Sequence, residues 1–264
     1  LGDSWDSFVD NLLSDENSDK INNAVAHIGN AIDFLDEKLT GNKSLPRLQH
    51  EAEALFNSIK LGFAAALFNG VLGLLVGYAV VRGRGARLSK WLEAIAFAPY
   101  IFPSIALGAI YIGMFSTNIG PIPALYGTFT ILVLITVIKN LPFTSRTGIA
   151  AILQIHQSLE EAARVQGIGW FRRMFRIIIP LSMSGLVAGM LLTFITAMRE
   201  LSLIILLISP GNMVLTGLIF SYQEMDMSQH SSAVTLMLVL LIIIISVIVR
   251  LITRSAGVGR LNVT

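Results

Sequence analysis

The stretch SLEEAARVQGIGWFRRMFRIIIP, Ser158 to Pro180, is a polar and basic island between apolar segments long enough to cross a bilayer. Ser158 followed by Glu161 is a capping-box pattern, so the spacing predicts a helix starting there. Leu159, Ala162, Ala163 and Gln166 then share one face, and its two alanines let another surface approach closely. Glu160 and Arg164, four apart, are spaced to pair along that helix. Gly167 stands where the helix would end, because glycine adopts the left-handed turn without strain. Trp170, Phe171, Met174 and Phe175 alternate with Arg172, Arg173 and Arg176, a composition suited to the cytoplasmic surface of a membrane. Pro180 sits as the first-turn proline of the next spanning helix. A helix, a glycine turn and a basic ramp form a docking surface rather than an active site.

Glu161-Ala162-Ala163, three residues, Gly167, nine residues and then Ile177-Ile178-Ile179-Pro180 resembles the coupling-loop motif of ATP-binding-cassette importer permeases. The family pattern is E-A-A, three, G, nine, I-x-L-P, and Ile179 in place of leucine is the departure. By average residue usage the E-A-A-x-x-x-G part alone should arise at roughly one position in a few tens of thousands. The resemblance implies docking of a cytoplasmic ATPase subunit at Glu161, Ala162, Ala163 and Gly167, in a coupling loop (145–176) that also holds Glu160 and Arg164, with Pro180 of the motif just beyond it. It implies two ATP-binding subunits, a second permease half (homologous, identical or fused to this one) and an extracytoplasmic substrate-binding protein. ATP would then sit on the partner subunit, and this chain would bind no cofactor. It also implies one more helix ahead of residue 1, so the chain reads as a piece of a longer permease.

Composition agrees with a membrane chain. Apolar residues make up 54% of 264 and charged residues 14%, which excludes an ordinary soluble core. The net charge of +2 hides an asymmetry: acidic residues from Asp3 to Glu53 crowd the first fifth, and basic residues lie mostly beyond it. That describes an acidic segment on a membrane domain in contact with lipid, not a nucleic-acid binder. There is no cysteine, which excludes disulfide and thiolate chemistry. No G-x-x-x-x-G-K-[ST] run occurs, so the chain lacks that means of holding ATP.

The fold class predicted is all-α: a polytopic bundle of about five spans with a broken hairpin on its outer side and an N-terminal extracytoplasmic helical segment. Residues 1–56 form that segment, with helical spacing over Trp5–Leu12 and Ile21–Leu39, and either cover the bundle or touch the binding protein. Residues 57–264 form the permease domain. The first span is read at Leu61–Val81, followed by a cytoplasmic loop with Arg82, Arg84, Arg87 and Lys90. The second covers about 94–115, where Pro99 and Pro103 imply a kink that either lines the pathway or only packs. A turn at Asn118–Pro123 leads to the third, about 124–141, with Lys139 and Arg146 returning the chain to the cytoplasm. The fourth runs from about Ile177 to Met198. Residues 201–223 are broken by Ser209-Pro210-Gly211-Asn212 and read as an outer hairpin buried against protein, because a crossing there would put Arg250, Arg254 and Arg260 outside. The last span covers about Ser231–Val249. This places the chain in a bacterial-type inner membrane.

The spans read as almost free of ionisable groups, which disfavours an ion-coupled carrier and points to an external motor. Arg199-Glu200, at the outer end of the fourth span, is either an interface anchor or an outer gate. Its Arg-Glu-Leu-Ser followed by Ser-Pro-Gly resembles the ferric-iron and thiamine-type branch of the permeases. His156 and His230 lack metal-site spacing and read as surface residues. No catalytic or metal residue is expected. The rival readings are a membrane sensor or scaffold whose basic loop docks a soluble partner, and a carrier that works without ATP.

Overall fold

A computed structural model describes residues 45–255 apart from 84 and 119–122; the predicted helices over Trp5–Leu39 and the last arginine, Arg260, lie outside the described residues. Nine helices and short 3-10 and π turns make up the described chain. Four are long and apolar enough to cross a membrane, over Gln49–Arg82, Phe129–Leu153, Trp170–Arg199 and Ser228–Leu251, and counting a sharply bent pair as one broken span makes five. The expected all-helical bundle of about five spans is what the chain forms.

The first helix, α1 (Leu45–Arg82), joins the end of the predicted N-terminal segment, from residue 45, to the first span in one rod of 38 residues. Pro46 stands in its first turn, where a missing N–H costs nothing, and no other proline interrupts it. After a turn with Gly85 at φ 96°, α2 (Arg87–Phe97) takes up Arg87 and Lys90, which the sequence had assigned to a loop. The predicted kink is a break. A 3-10 turn at Ala98–Tyr100 ends α2, Pro103 caps α3 (Ser104–Phe115), and the two helices meet at 101°. Two prolines four apart explain this, since Pro103 biases the residue before it out of the helical region.

The third span differs from expectation. Helix α4 (Phe129–Leu153) begins later than 124, passes through Pro142 and ends well beyond 141. Lys139 therefore does not return the chain to the cytoplasm: it lies roughly 15 Å from one end of α4 and roughly 20 Å from the other. The charge suggested a membrane boundary because its partners come from distant sequence. After α5 (Gln157–Val165), a helical run joins α6 (Trp170–Arg173) through a π turn to α7 (Ile179–Arg199). Residues 201–223 form no span, as expected. They make turns, a 3-10 helix at Pro210–Asn212 and α8 (Leu215–Glu224), and bury Leu203, Ile204, Leu207 and Leu215 completely. The Ser209 hydroxyl and the Asn212 amide both donate to Gly127 O, at 3.0 and 3.2 Å, tying this segment to the loop before α4. The last helix, α9 (Ser228–Ser255), packs on α8 and α7 and leaves most of its surface open.

The centre of the bundle is α1 with α4 beside it in parallel and α7 antiparallel. Leu61 clusters with Ile131 and Leu132, Ala65 with Val137, and Gly77 meets Gly148, so the two chains rise together. Gly62 lies against Met198 and Gly70 against Met190, so α7 runs the other way. A Cβ on Gly73 would lie 2.5 Å from Thr144 O, and one on Gly148 would lie 2.1 Å from Gly73 O. Gly73-x-x-x-Gly77 on α1 thus allows backbone contact with α4, the small-residue packing typical of membrane helices. We expect Gly148→Ala to destabilise the purified protein by about 2 kcal/mol, because backbone must move to admit the methyl. Gly113→Ala, where nothing lies within 4 Å of the added carbon, should not lower the melting temperature. Thermal unfolding in detergent checks the pair.

Candidate functional site

The stretch from Ser158 to Pro180 emerges at the basic end of the bundle. Of the predicted loop at 145–176, residues 145–153 finish α4 and 170–176 begin the next helical run. Helix α5 starts one residue before the predicted Ser158 capping box, and the cap is His156 instead. Its ring accepts from Ser158 N at 3.4 Å and lies 2.8 Å from the Ser158 hydroxyl. Glu161, expected to close the box, accepts from Gln157 Nε2 at 2.8 Å and stays exposed. A histidine thus takes one first-turn donor, while Ser158 and Glu161 engage His156 and Gln157 rather than each other.

The predicted face divides. Ala163 is buried beside Glu160, whereas Leu159, Ala162 and Gln166 are exposed together with Val165, which is 89% exposed. Glu160 does not pair with Arg164. It is 2% exposed, accepts from Arg82 Nε at 2.5 Å and from the Tyr78 hydroxyl at 2.8 Å. Arg82 also donates to Ile155 O at 3.1 Å. One carboxylate thus fastens α5 to the end of α1, and the guanidinium holds the turn before α5 as well. Buried ion pairs of this kind contribute little over an apolar pair, but removing one partner is costly. Sequence offered one signal, a glutamate on the same face as Ala163, but its partner is 78 residues away.

Helix α5 ends as the glycine predicted. Gly167 has φ 74°, its N–H donates to Arg164 O at 2.9 Å, and Ile168 N donates to Ala163 O at 3.0 Å, a complete Schellman motif. Nothing lies within 4 Å of the space a side chain would take at Gly167. Arg172 and Arg176 are exposed as expected of a membrane-surface segment, but Arg173 is turned inward and donates to Ile168 O at 2.9 Å. Trp170 meets Tyr78 edge to face at 6.2 Å, which ties the ramp to the Glu160 contact. Pro180 sits in the first turn of α7, directly after the π turn at Met174–Ile178, where Ile179 N donates to Met174 O. The wider turn accommodates a residue that has no N–H to give.

Among the predicted pathway residues, Pro99 and Pro103 form the elbow between α2 and α3, and Arg199 is exposed in the last turn of α7. Glu200 is brought to Lys139, whose ammonium also bonds the Ser104 hydroxyl at the start of α3. Glu200 further accepts from Leu203 N at 3.2 Å. The spans are therefore not free of charge: Lys139 lies within α4 and pairs with Glu200, the residue that follows α7, and sequence alone missed the pair because the two are 61 residues apart. The argument against an ion-coupled carrier loses that support. His156 and His230 were both read as surface histidines; His156 is a helix cap, and His230 packs on Tyr222 at 5.5 Å. Among the described residues no group of three His, Cys, Asp or Glu could hold a metal ion.

Residues 69–257 match the family described as binding-protein-dependent transport system inner membrane component. The 2-aminoethylphosphonate transport system permease protein PhnV of Salmonella paratyphi A is 27% identical over 187 residues, covering 71% of this chain and 69% of that protein. The ferric transport system permease protein FbpB of Actinobacillus pleuropneumoniae is 29% identical over 65% of this chain but only 24% of its own length. Among solved structures, an inward-facing MetNI methionine ABC transporter chain is similar with a TM-score of 0.66 at 22% identity, over 81% of this chain and 99% of that one. A chain of a bacterial alginate ABC transporter in complex with an alginate-bound periplasmic protein is similar at 0.67 and 15% identity, over 95% and 96%. At these identities the structural likeness establishes the fold.

The Glu160 contact yields a direct expectation. Glu160→Ala leaves Arg82 without its carboxylate and should cost about 3 kcal/mol of local stability. Amide hydrogen exchange over 157–165 should then accelerate by about a hundredfold, with α4 unchanged. Tyr78→Phe, which removes one hydrogen bond and no charge, should have a smaller effect, about 1 kcal/mol.

Proposed function

The chain belongs to the binding-protein-dependent transport system inner membrane component family, the permeases of ATP-binding-cassette importers, and from that premise we propose that α5 is the helix through which an ATP-binding subunit drives substrate passage. The observation that carries this reading is the division of α5. Its inner face is clasped to α1 by Glu160, and its outer face presents Leu159, Ala162 and Val165 with Glu161 at the edge. Exposed apolar side chains on a short charged helix mark a partner surface. The exposed Glu161 carboxylate offers a charge for a basic residue of that partner, and the left-handed turn at Gly167 lets the helix enter a cleft. ATP sits on the partner subunit, and this chain acts without catalysing a reaction of its own.

The importer reading includes a second permease half, identical or homologous or fused, and an extracytoplasmic substrate-binding protein, in a bacterial-type inner membrane. Closure of the ATP-binding subunits moves α5, and the clasp carries that movement into α1. Such coupling requires the inward- and outward-facing states to differ in how well they hold the closed motor.

Cargo is the finer step. Ferric iron is supported by the Arg199–Gly211 resemblance and by the similarity to the ferric permease FbpB. A phosphonate cargo is supported by the similarity to PhnV, which extends over a larger share of both proteins. Uptake of radiolabelled ferric iron and 2-aminoethylphosphonate by cells with and without the permease separates the two.

Docking is tested by co-purification with the ATP-binding subunit of the same importer. Nothing lies within 4 Å of a Cβ added at Gly167, and aspartate is among the residues that adopt the left-handed region at modest strain, so the fold of Gly167→Asp should persist. Recovery of the ATP-binding subunit should nevertheless fall by about tenfold, the equivalent of 1.4 kcal/mol, and Glu161→Lys should act alike. Equal recovery from wild type and both variants would move the scaffold reading to the front.

A further inference from the structure

Lys139 and Glu200 meet where three interrupted elements converge: the elbow between α2 and α3, the middle of α4 just before Pro142, and the end of α7. Their side chains are 21% and 16% exposed, so the pair is neither sealed in the core nor free on the surface. An ionisable pair within a span faces protein or a water-filled cavity, not lipid. Irregular backbone at such depth is likewise found where it lines a cavity or is covered by protein. Both arguments turn the pair away from lipid, and its remaining exposure leaves it open to water between the ends of α4.

The two partners are not equally dependent on each other. If the pair opens, Glu200 keeps the Leu203 N–H at 3.2 Å, and its own carbonyl still receives the Thr216 hydroxyl at 3.2 Å. Lys139 keeps only the Ser104 hydroxyl, a neutral group that cannot balance its charge. Opening therefore leaves an uncompensated ammonium with a hydroxyl beside it, and that pairing favours an oxyanion. We propose that Lys139, with Ser104, is an anion-reading station of the transport pathway, and that Glu200 occupies it as a surrogate anion when cargo is absent. The proposal rests on the importer reading and adds its substrate class: cargo carrying a phosphonate, phosphate, sulfate or carboxylate group, which displaces Glu200 and is released as Glu200 returns.

Competition makes this testable. The apparent affinity of the station is reduced by the fraction of time Glu200 holds Lys139. Methylphosphonate is the anionic probe and ethylammonium its cationic counterpart, each titrated by NMR against the purified assembled importer in nanodiscs. Wild type should bind methylphosphonate and not ethylammonium. Glu200→Gln, which removes the competitor and keeps its shape, should tighten binding by about threefold or more. Lys139→Gln should abolish binding, and Lys139→Arg should retain it. The proposal is overturned if wild type binds no methylphosphonate, if Glu200→Gln weakens its binding, if ethylammonium binds instead, or if Lys139→Gln binds as wild type does. The Glu200→Gln result stands even where Lys139→Gln fails to fold. ATP hydrolysis and retention of the ATP-binding subunit, measured on the same wild-type sample, report separately on the importer reading: their loss defeats that reading whatever the probe does.

Discussion

The approach of α1 to α4 at Gly73, Gly77 and Gly148 is the constraint from which the rest of the molecule follows. Without side chains there, the two backbones touch, and a helix pair that touches backbone to backbone has one register. That register puts Arg82, five residues past Gly77, level with Ile155, seven past Gly148. The guanidinium therefore reaches the turn before α5 and the carboxylate of Glu160 together. A slip of one turn, roughly 5 Å, would break these hydrogen bonds and release α5. Contact far inside the membrane thus sets the position of a helix outside it.

The sequence showed the parts of this arrangement that depend on local chemistry. Apolar runs identified the spans, Gly167 identified the end of α5, and Ser209–Asn212 identified a segment that forms no long helix. The positive-inside argument from Arg250, Arg254 and Arg260 even excluded a span at 201–223 that hydropathy alone would have accepted. Each of the first three rests on residues within a few positions of one another. What sequence missed depends on partners far apart. Lys139 looked like a boundary because one unpaired charge ends an apolar run, and only Glu200 and Ser104 reveal it as interior. Glu160 looked like half of a surface pair with Arg164, because an i,i+4 spacing is visible in sequence and an arginine at position 82 is not.

The same limitation explains the divided face of α5. Ala162 and Ala163 are adjacent in the motif and read as one close-packing surface, but successive helix positions are turned by about 100°. With Glu160 drawn inward by Arg82, Ala163 follows it, and Ala162 turns outward beside Leu159 and Val165. The two alanines then do different work: one admits the helix to its own bundle, and the other keeps the opposite face low. A larger residue at either position would obstruct a different partner.

Both ion pairs are built on the block formed by α1, α4 and α7. At the basic end, Arg82–Glu160 joins the block to α5; deeper in, Lys139–Glu200 joins it to the elbow of α2 and α3 and to the segment after α7. The block is held by glycine contacts and buried side chains, which have two discrete arrangements or one, not a continuum. The elbow has neither advantage, since its 3-10 turn and two prolines leave Tyr100, Ile101 and Phe102 exposed. On the proposed coupling, a displacement received at α5 would pass through the block and be taken up where packing is weakest, at the elbow beside Lys139. Because an ion pair is sensitive to an ångström or two, that is where a rigid-body movement would alter the Lys139–Glu200 contact.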